Sequence, residues 1–168
     1  MVAAAALDNN RETAPTTVEA TGAGLLCVGW REWVALPQFR IRAMKAKIDT
    51  GARTSALHTF SLEQYTEGGR PRARFRIHPR QNRTDIAVTC VADIIDERWV
   101  TDSGGHRERR TVIRTDIVLG GLRYPIDVTI TDRDTMRFRM LLGRAAIRGR
   151  LLVDSSSSYL LGRPGFSK

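Results

Sequence analysis

Apolar residues recur at every second position along much of this chain, and turn-forming residues interrupt them at short intervals. Ile86, Val88, Cys90 and Ala92 alternate with their neighbours, as do Ile113, Thr115, Ile117 and Leu119, and then Tyr124, Ile126, Val128 and Ile130. A period of two puts one set of side chains on one face of an extended strand and the other set on the opposite face. Shorter apolar runs, Leu25 to Val28 and Trp33 to Leu36, flank Trp30 and stop at Pro37. Strands are expected over 39–48 and 56–62, and over 72–78, where Pro79 ends the run. Gly120-Gly121 predicts a tight hairpin, and Ser103-Gly104-Gly105 predicts another between strands near 94–101 and 107–118. Ala145 to Arg148 reads as a helical turn, Leu151 to Val153 as a last strand, and Ser155 to Ser158 as the start of a loose carboxyl terminus. Evenly spaced short strands predict an all-β fold, a small closed barrel rather than an α/β sheet.

The pattern breaks most sharply at residues 47–58. Met44, Ala46 and Ile48 lead into Asp49-Thr50-Gly51-Ala52, and the chain leaves through Ala56 and Leu57. This reads as strand, sharp turn and strand with a carboxylate at the bend. Gly51 lets another backbone approach the turn closely, and a carboxylate held at an apolar boundary is open to tuning of its proton affinity.

Composition sets the frame. A chain of 168 residues with 42% hydrophobic positions suits one domain with a real core. The expected organisation is a disordered amino-terminal tail over 1–22, rich in Ala and Thr, a folded domain over 23–163 and a short tail over 164–168. No run is long enough to span a bilayer, and Cys27 and Cys90 sit in strand-like apolar contexts that suit free thiols, so a cytoplasmic protein is expected. The formal net charge of +9 is carried almost wholly by arginine. Around Arg74 and Arg76 arginine alternates with Ala73, Phe75 and Ile77, giving a strand with one apolar and one cationic face. Arginine's planar fork suits carboxylates and phosphates, so an acidic partner is expected. Zinc-knuckle spacing and an aromatic-rich RNA-binding strand are both missing, which sets nucleic acid aside.

Asp49-Thr50-Gly51-Ala52 resembles the active-site turn of aspartic peptidases, and Met140-Leu141-Leu142-Gly143-Arg144 resembles the segment that passes behind that turn in retropepsins. With Lys47 to His58, Asp132-Arg133 with Met136, and Phe138 through Asp154, residues 25–162 resemble a bacterial retropepsin-like (RimB-like) family whose members carry the label of ATP-dependent zinc protease. The resemblance implies a dyad of carboxylates sharing a proton. One Asp-Thr-Gly per chain then implies a homodimer pairing Asp49 with Asp49 of a second copy. Thr50 would brace the two turns across the axis, and Gly51 would leave room for substrate backbone. Ala52, Arg53, Arg74, Arg76, Gly104, Gly105 and Arg144 are the candidate substrate contacts. Gly104 and Gly105 belong to the 102–106 hairpin, which stands where retropepsins carry a flap. Arg144 is read either as a clamp on a substrate carboxylate or as a brace for the dimer. Asp132 and Asp134 are read as turn residues paired with nearby arginines, and the resemblance keeps Asp132 and Arg133 in view as site-supporting groups.

The sequence gives the zinc and ATP parts of that label no support. It has no His-Glu-x-x-His, its three histidines His58, His78 and His106 are scattered, and it has no phosphate-binding loop. No cofactor is expected. The family is also linked with ATP-grasp glutamate ligases, which implies an acidic, glutamate-rich substrate. The competing expectation is a non-catalytic barrel that regulates such a ligase or a ribosomal partner.

Overall fold

The computed structural model describes residues 24–101, 104–132 and 136–164. The strands are β1 (Leu26–Gly29), β2 (Arg31–Leu36), β3 (Ile41–Asp49), β4 (Ser55–Thr59), β5 (Ser61–Glu67), β6 (Arg70–Ile77), β7 (Val88–Thr101), β8 (Arg107–Leu119), β9 (Leu122–Asp132), β10 (Met140–Gly143) and β11 (Leu151–Asp154). Among the described residues the only α-helix is the single turn α1 (Arg144–Ile147), so the fold is all-β. The tail over 1–22, the Asp102-Ser103 turn, Arg133, Asp134 and residues 165–168 lie outside the described residues.

Nine strands form one sheet in the order β2-β3-β10-β4-β9-β8-β7-β6-β5, and β2 pairs again with β8 at Ala35 and Val118. β1 and β11 form a separate parallel pair. The inward positions of the alternating strands make the core: Leu36, Met44, Leu57, Phe75, Ile113, Ile117, Ile130 and Leu142 are all fully buried. Each such side chain stabilises the fold by roughly 1.5–3 kcal/mol before entropy is counted.

The strands differ from the sequence pattern in three places. The run 56–62 is two strands. Its β4 part pairs with β9 and β10 and its β5 part with β6, and between them Phe60 stacks on His78 at 4.1 Å and donates its N–H to the Arg76 carbonyl. Residues 37–39 form a 3₁₀ turn, so β3 starts at Ile41 rather than 39. The two runs expected either side of Asp93 are one strand, β7, bent by a register shift between Ile94 and Asp96.

The segment from Ser155 is not loose. The Trp30 N–H donates to the Ser157 carbonyl and the Tyr159 N–H to the Arg31 carbonyl. The fully buried Glu32 carboxylate accepts the N–H groups of Gly29, Leu160 and Leu161. A charged residue in an apolar run gave no sign in sequence that it would pin the carboxyl-terminal segment.

Candidate active site

Asp49 closes β3, and the turn behind it is held from three sides. Its own Oδ1 accepts the N–H groups of Gly51 at 3.0 Å and Ala52 at 3.1 Å. A Cβ on Gly51 would sit 3.2 Å from that oxygen, so a bare residue suits the tight carboxylate–backbone contact. Among the described residues nothing bonds Oδ2, which leaves one carboxylate oxygen for chemistry. Thr50 and Gly51 are exposed at the tip of the turn.

The second side is β10. It lies parallel to β3, with Gly143 beside Asp49, and antiparallel to β4, with Met140 beside Leu57. The Gly143 N–H donates to Ser55 Oγ at 3.1 Å. A Cβ on Gly143 would stand 2.7 Å from the Thr54 carbonyl carbon and 2.8 Å from its oxygen, so only glycine fits between β10 and the turn.

Arg144 supplies the third side. Its Nη1 donates to the carbonyls of Thr50 at 2.9 Å and Gly51 at 2.7 Å, while its backbone N–H donates to the Ala52 carbonyl and that of Ala145 to the Arg53 carbonyl. The guanidinium clips the turn of its own chain. Neither reading of Arg144 from sequence included that contact.

The turn opens into a cleft of about 1490 Å³ whose lining takes in Asp49, Gly51, Ala52 and Arg53 together with Arg98, Trp99 and Arg110 of the β7–β8 hairpin. Trp99 is 60% exposed, with the Arg107 guanidinium 4.9 Å from its ring. Seven lining side chains are cationic, among them Lys47, Arg53 and Arg137, and two are carboxylates, Asp49 and Asp127. Asp127 is gripped by Arg114 at 2.8 Å and Arg98 at 3.1 Å. Burial pushes its carboxyl up, and the two guanidinium hydrogen bonds outweigh burial and hold it below the usual carboxylate range. Arg98 also pairs with Asp96 and Arg110 with Glu108, so the surplus positive charge of the cleft is carried by Lys47, Arg53, Arg137 and Arg150.

The structure brings Asp49, Gly51, Ala52 and Arg53 together at the cleft, with Arg144 behind them. Arg74 and Arg76 stand on the outward face of β6 and do not line it: Arg74 pairs with Glu63 at 3.0 Å, and Arg76 lies 5.0 Å from the Phe60 ring. Gly104 and Gly105 are exposed at the hairpin end and do not line it either. The Arg98–Asp127–Arg114 cluster and Ser55 were not singled out from sequence. Their roles depend on which strands meet across the sheet, which no local pattern encodes. Among the described residues no three His, Cys, Asp or Glu side chains converge as a metal site, and His58 instead sets its Nδ1 2.8 Å from Thr131 Oγ1.

A family model described as a RimB-like, retropepsin-like aspartic endopeptidase matches residues 27–164. Proteins named "Probable alpha-L-glutamate ligase" from Shewanella pealeana and Parasynechococcus marenigrum are 41% and 40% identical to this chain, each over 82% of it. The match takes in only 30% and 29% of those proteins, so the chain spans less than a third of the length of the curated relatives it matches. The crystal structure of a Legionella pneumophila protein of unknown function superposes with a TM-score of 0.67 at 24% identity, over 80% of this chain and 97% of that one, which shows a shared fold.

Proposed function

The chain belongs to the RimB-like family of retropepsin-like aspartic endopeptidases, and from that membership we propose that it hydrolyses peptide bonds in acidic segments with a dyad of Asp49 carboxylates from two copies. The observation that carries this reading is the Asp49 carboxylate itself. It is fixed by two backbone N–H groups, with a free oxygen, in a turn clipped by Arg144 and facing a cationic cleft. A single carboxylate can take or give a proton, but activating water while protonating the amide needs one of each. A symmetric second copy supplies the missing group, and the exposed Thr50 suits contact across that axis. Each chain would then be one closed barrel lobe. The cations of the cleft would attract a polyanionic peptide and fix its register.

A second reading is supported by the relatives. In proteins named glutamate ligases, a segment like this chain makes up less than a third of the whole. A non-catalytic module that presents acidic tails to a glutamate ligase, or regulates that ligase as a separate chain, would keep the same cleft without using the dyad.

Hydrolysis of acidic and neutral peptides by the wild type and Asp49→Asn, with folding and dimerisation checked in parallel, separates the two. Under the peptidase reading the folded, dimeric variant loses cleavage by at least ~100-fold, and wild-type cleavage of acidic peptides weakens with salt. No cleavage by the wild type at any pH favours the binding module.

A further inference from the structure

Ala43, Lys45, Lys47 and Asp49 share the outward face of β3, with Met44, Ala46 and Ile48 buried beneath them. Lys47 and Asp49 line the cleft, whereas Ala43 and Lys45 line a second pocket of about 360 Å³ together with Trp33, Arg80, Gln81, Arg83 and Arg163. Across the β2–β3 ladder Arg31 sits beside Lys47 and Trp33 beside Lys45. A single basic strand face therefore joins the two sites.

The second pocket is lined by four cations and no carboxylate. Arg83 is held by Asp85 through two hydrogen bonds, but among the described residues Lys45, Arg80 and Arg163 form no ion pair. Aromatic rings hold two of them instead. Lys45 Nζ stands 5.2 Å from the Trp33 ring and 5.5 Å from that of Tyr159, and the Arg163 guanidinium stands 5.1 Å from Trp33. A ring face fixes a cation in place without neutralising it. Gln81 adds a buried amide nitrogen with no hydrogen-bond partner. Tyr159 is set beside the pocket by a left-handed backbone, φ 58°, and by its N–H on the Arg31 carbonyl.

We propose that this pocket is an exosite for acidic peptide: a substrate running extended from the Asp49 cleft along the β2–β3 face lays carboxylates against Lys45, Arg163 and Arg80. The proposal rests on the acidic-peptide reading of the cleft. At about 3.3 Å per residue, the four positions from Asp49 to Lys45 span ~13 Å and the six to Ala43 span ~20 Å. The carboxylates that reach the pocket thus lie about four to six residues from the scissile bond. The Trp33 ring is engaged by Lys45, Arg163 and Tyr159. The pocket accordingly offers charge and donors rather than a bare stacking surface, which favours carboxylates over nucleobases.

The test measures binding to full-length Asp49→Asn, with fluorescein-labelled oligoglutamates of about three and about eight residues, one too short and one long enough to reach the pocket. The longer peptide is expected to bind about tenfold tighter, from a few exposed charge pairs. The Lys45→Gln/Arg163→Gln double variant is expected to shrink that ratio to about twofold or less. The charge-matched control Arg70→Gln/Arg148→Gln should keep it. An unchanged ratio in the Lys45/Arg163 variant, or an equal loss in the control, overturns the exosite. It is likewise overturned if single-stranded RNA of about eight nucleotides binds tighter than the longer peptide and loses that affinity in the same variant. Binding is read without the Asp49 carboxylate, so a wild type that cleaves nothing would sink the peptidase reading and leave this result standing.

Discussion

Gly143 fits its position because a methyl group there would run into backbone. A Cβ would meet the Thr54 carbonyl at 2.7–2.8 Å, and that peptide belongs to the turn that aims Asp49. Relief requires β10 or the turn to move, and both are tied in ladders and by Arg144. Gly143→Ala should therefore cost about 1–3 kcal/mol of stability and impair any chemistry at Asp49. Gly121→Ala, which meets nothing within 4 Å, should stay within about 0.5 kcal/mol of wild type. Denaturant midpoints of the two variants check this; equal midpoints would mean that β10 yields to the methyl group. At this scale the sequence was legible where a motif names its own geometry, as Asp49-Thr50-Gly51 and Leu142-Gly143-Arg144 do. It was silent at Glu32 and Ser55, whose partners are fixed only when segments distant in sequence meet.

Strands β7, β8 and β9 line the same cleft as Asp49, and Asp127 on β9 ties them together by accepting from Arg98 on β7 and Arg114 on β8. Its folded pKa lies below its unfolded one, because the guanidinium hydrogen bonds outweigh the upward push of burial. The native state therefore binds this proton less readily than the unfolded chain. The stabilisation is complete above the ordinary carboxylate value near ~3.9, declines as pH falls through that value and disappears below the depressed folded one. Asp127→Asn should thus be less stable than wild type by about 1 kcal/mol near neutrality, and the two should converge in strong acid. Thermal melts across pH measure the gap, and a gap that persists in acid would assign the loss to packing instead. Alternation in β8 and β9 made these strands readable, and Gly120-Gly121 made their hairpin readable. The division of 56–62 at Phe60 and the fusion of β7 were not, because a period of two says which face a residue takes but not which neighbour a strand pairs with.

The sequence carries one Asp-Thr-Gly, so a shared-proton mechanism makes a strong demand on assembly. If each site needs an Asp49 from both copies, a mixed dimer of wild type and Asp49→Asn has one carboxylate and no dyad. Let equal amounts of the two be mixed and allowed to exchange. Random pairing puts about half of the wild-type chains into mixed dimers, so activity per wild-type chain should fall by about half. As the variant is raised further in excess, activity should fall toward zero. An enzyme whose sites are complete within one chain would lose nothing, because added variant merely dilutes it. Native mass spectrometry of the same samples, with the variant isotopically labelled, reports whether exchange took place. A loss that tracks mixed-dimer formation supports the shared dyad, and undiminished activity in a fully exchanged population would place the second acid within the chain. The experiment needs no knowledge of the natural substrate, only a peptide that is cut. It therefore tests the one feature of the mechanism that a single chain cannot display, the source of the second carboxylate.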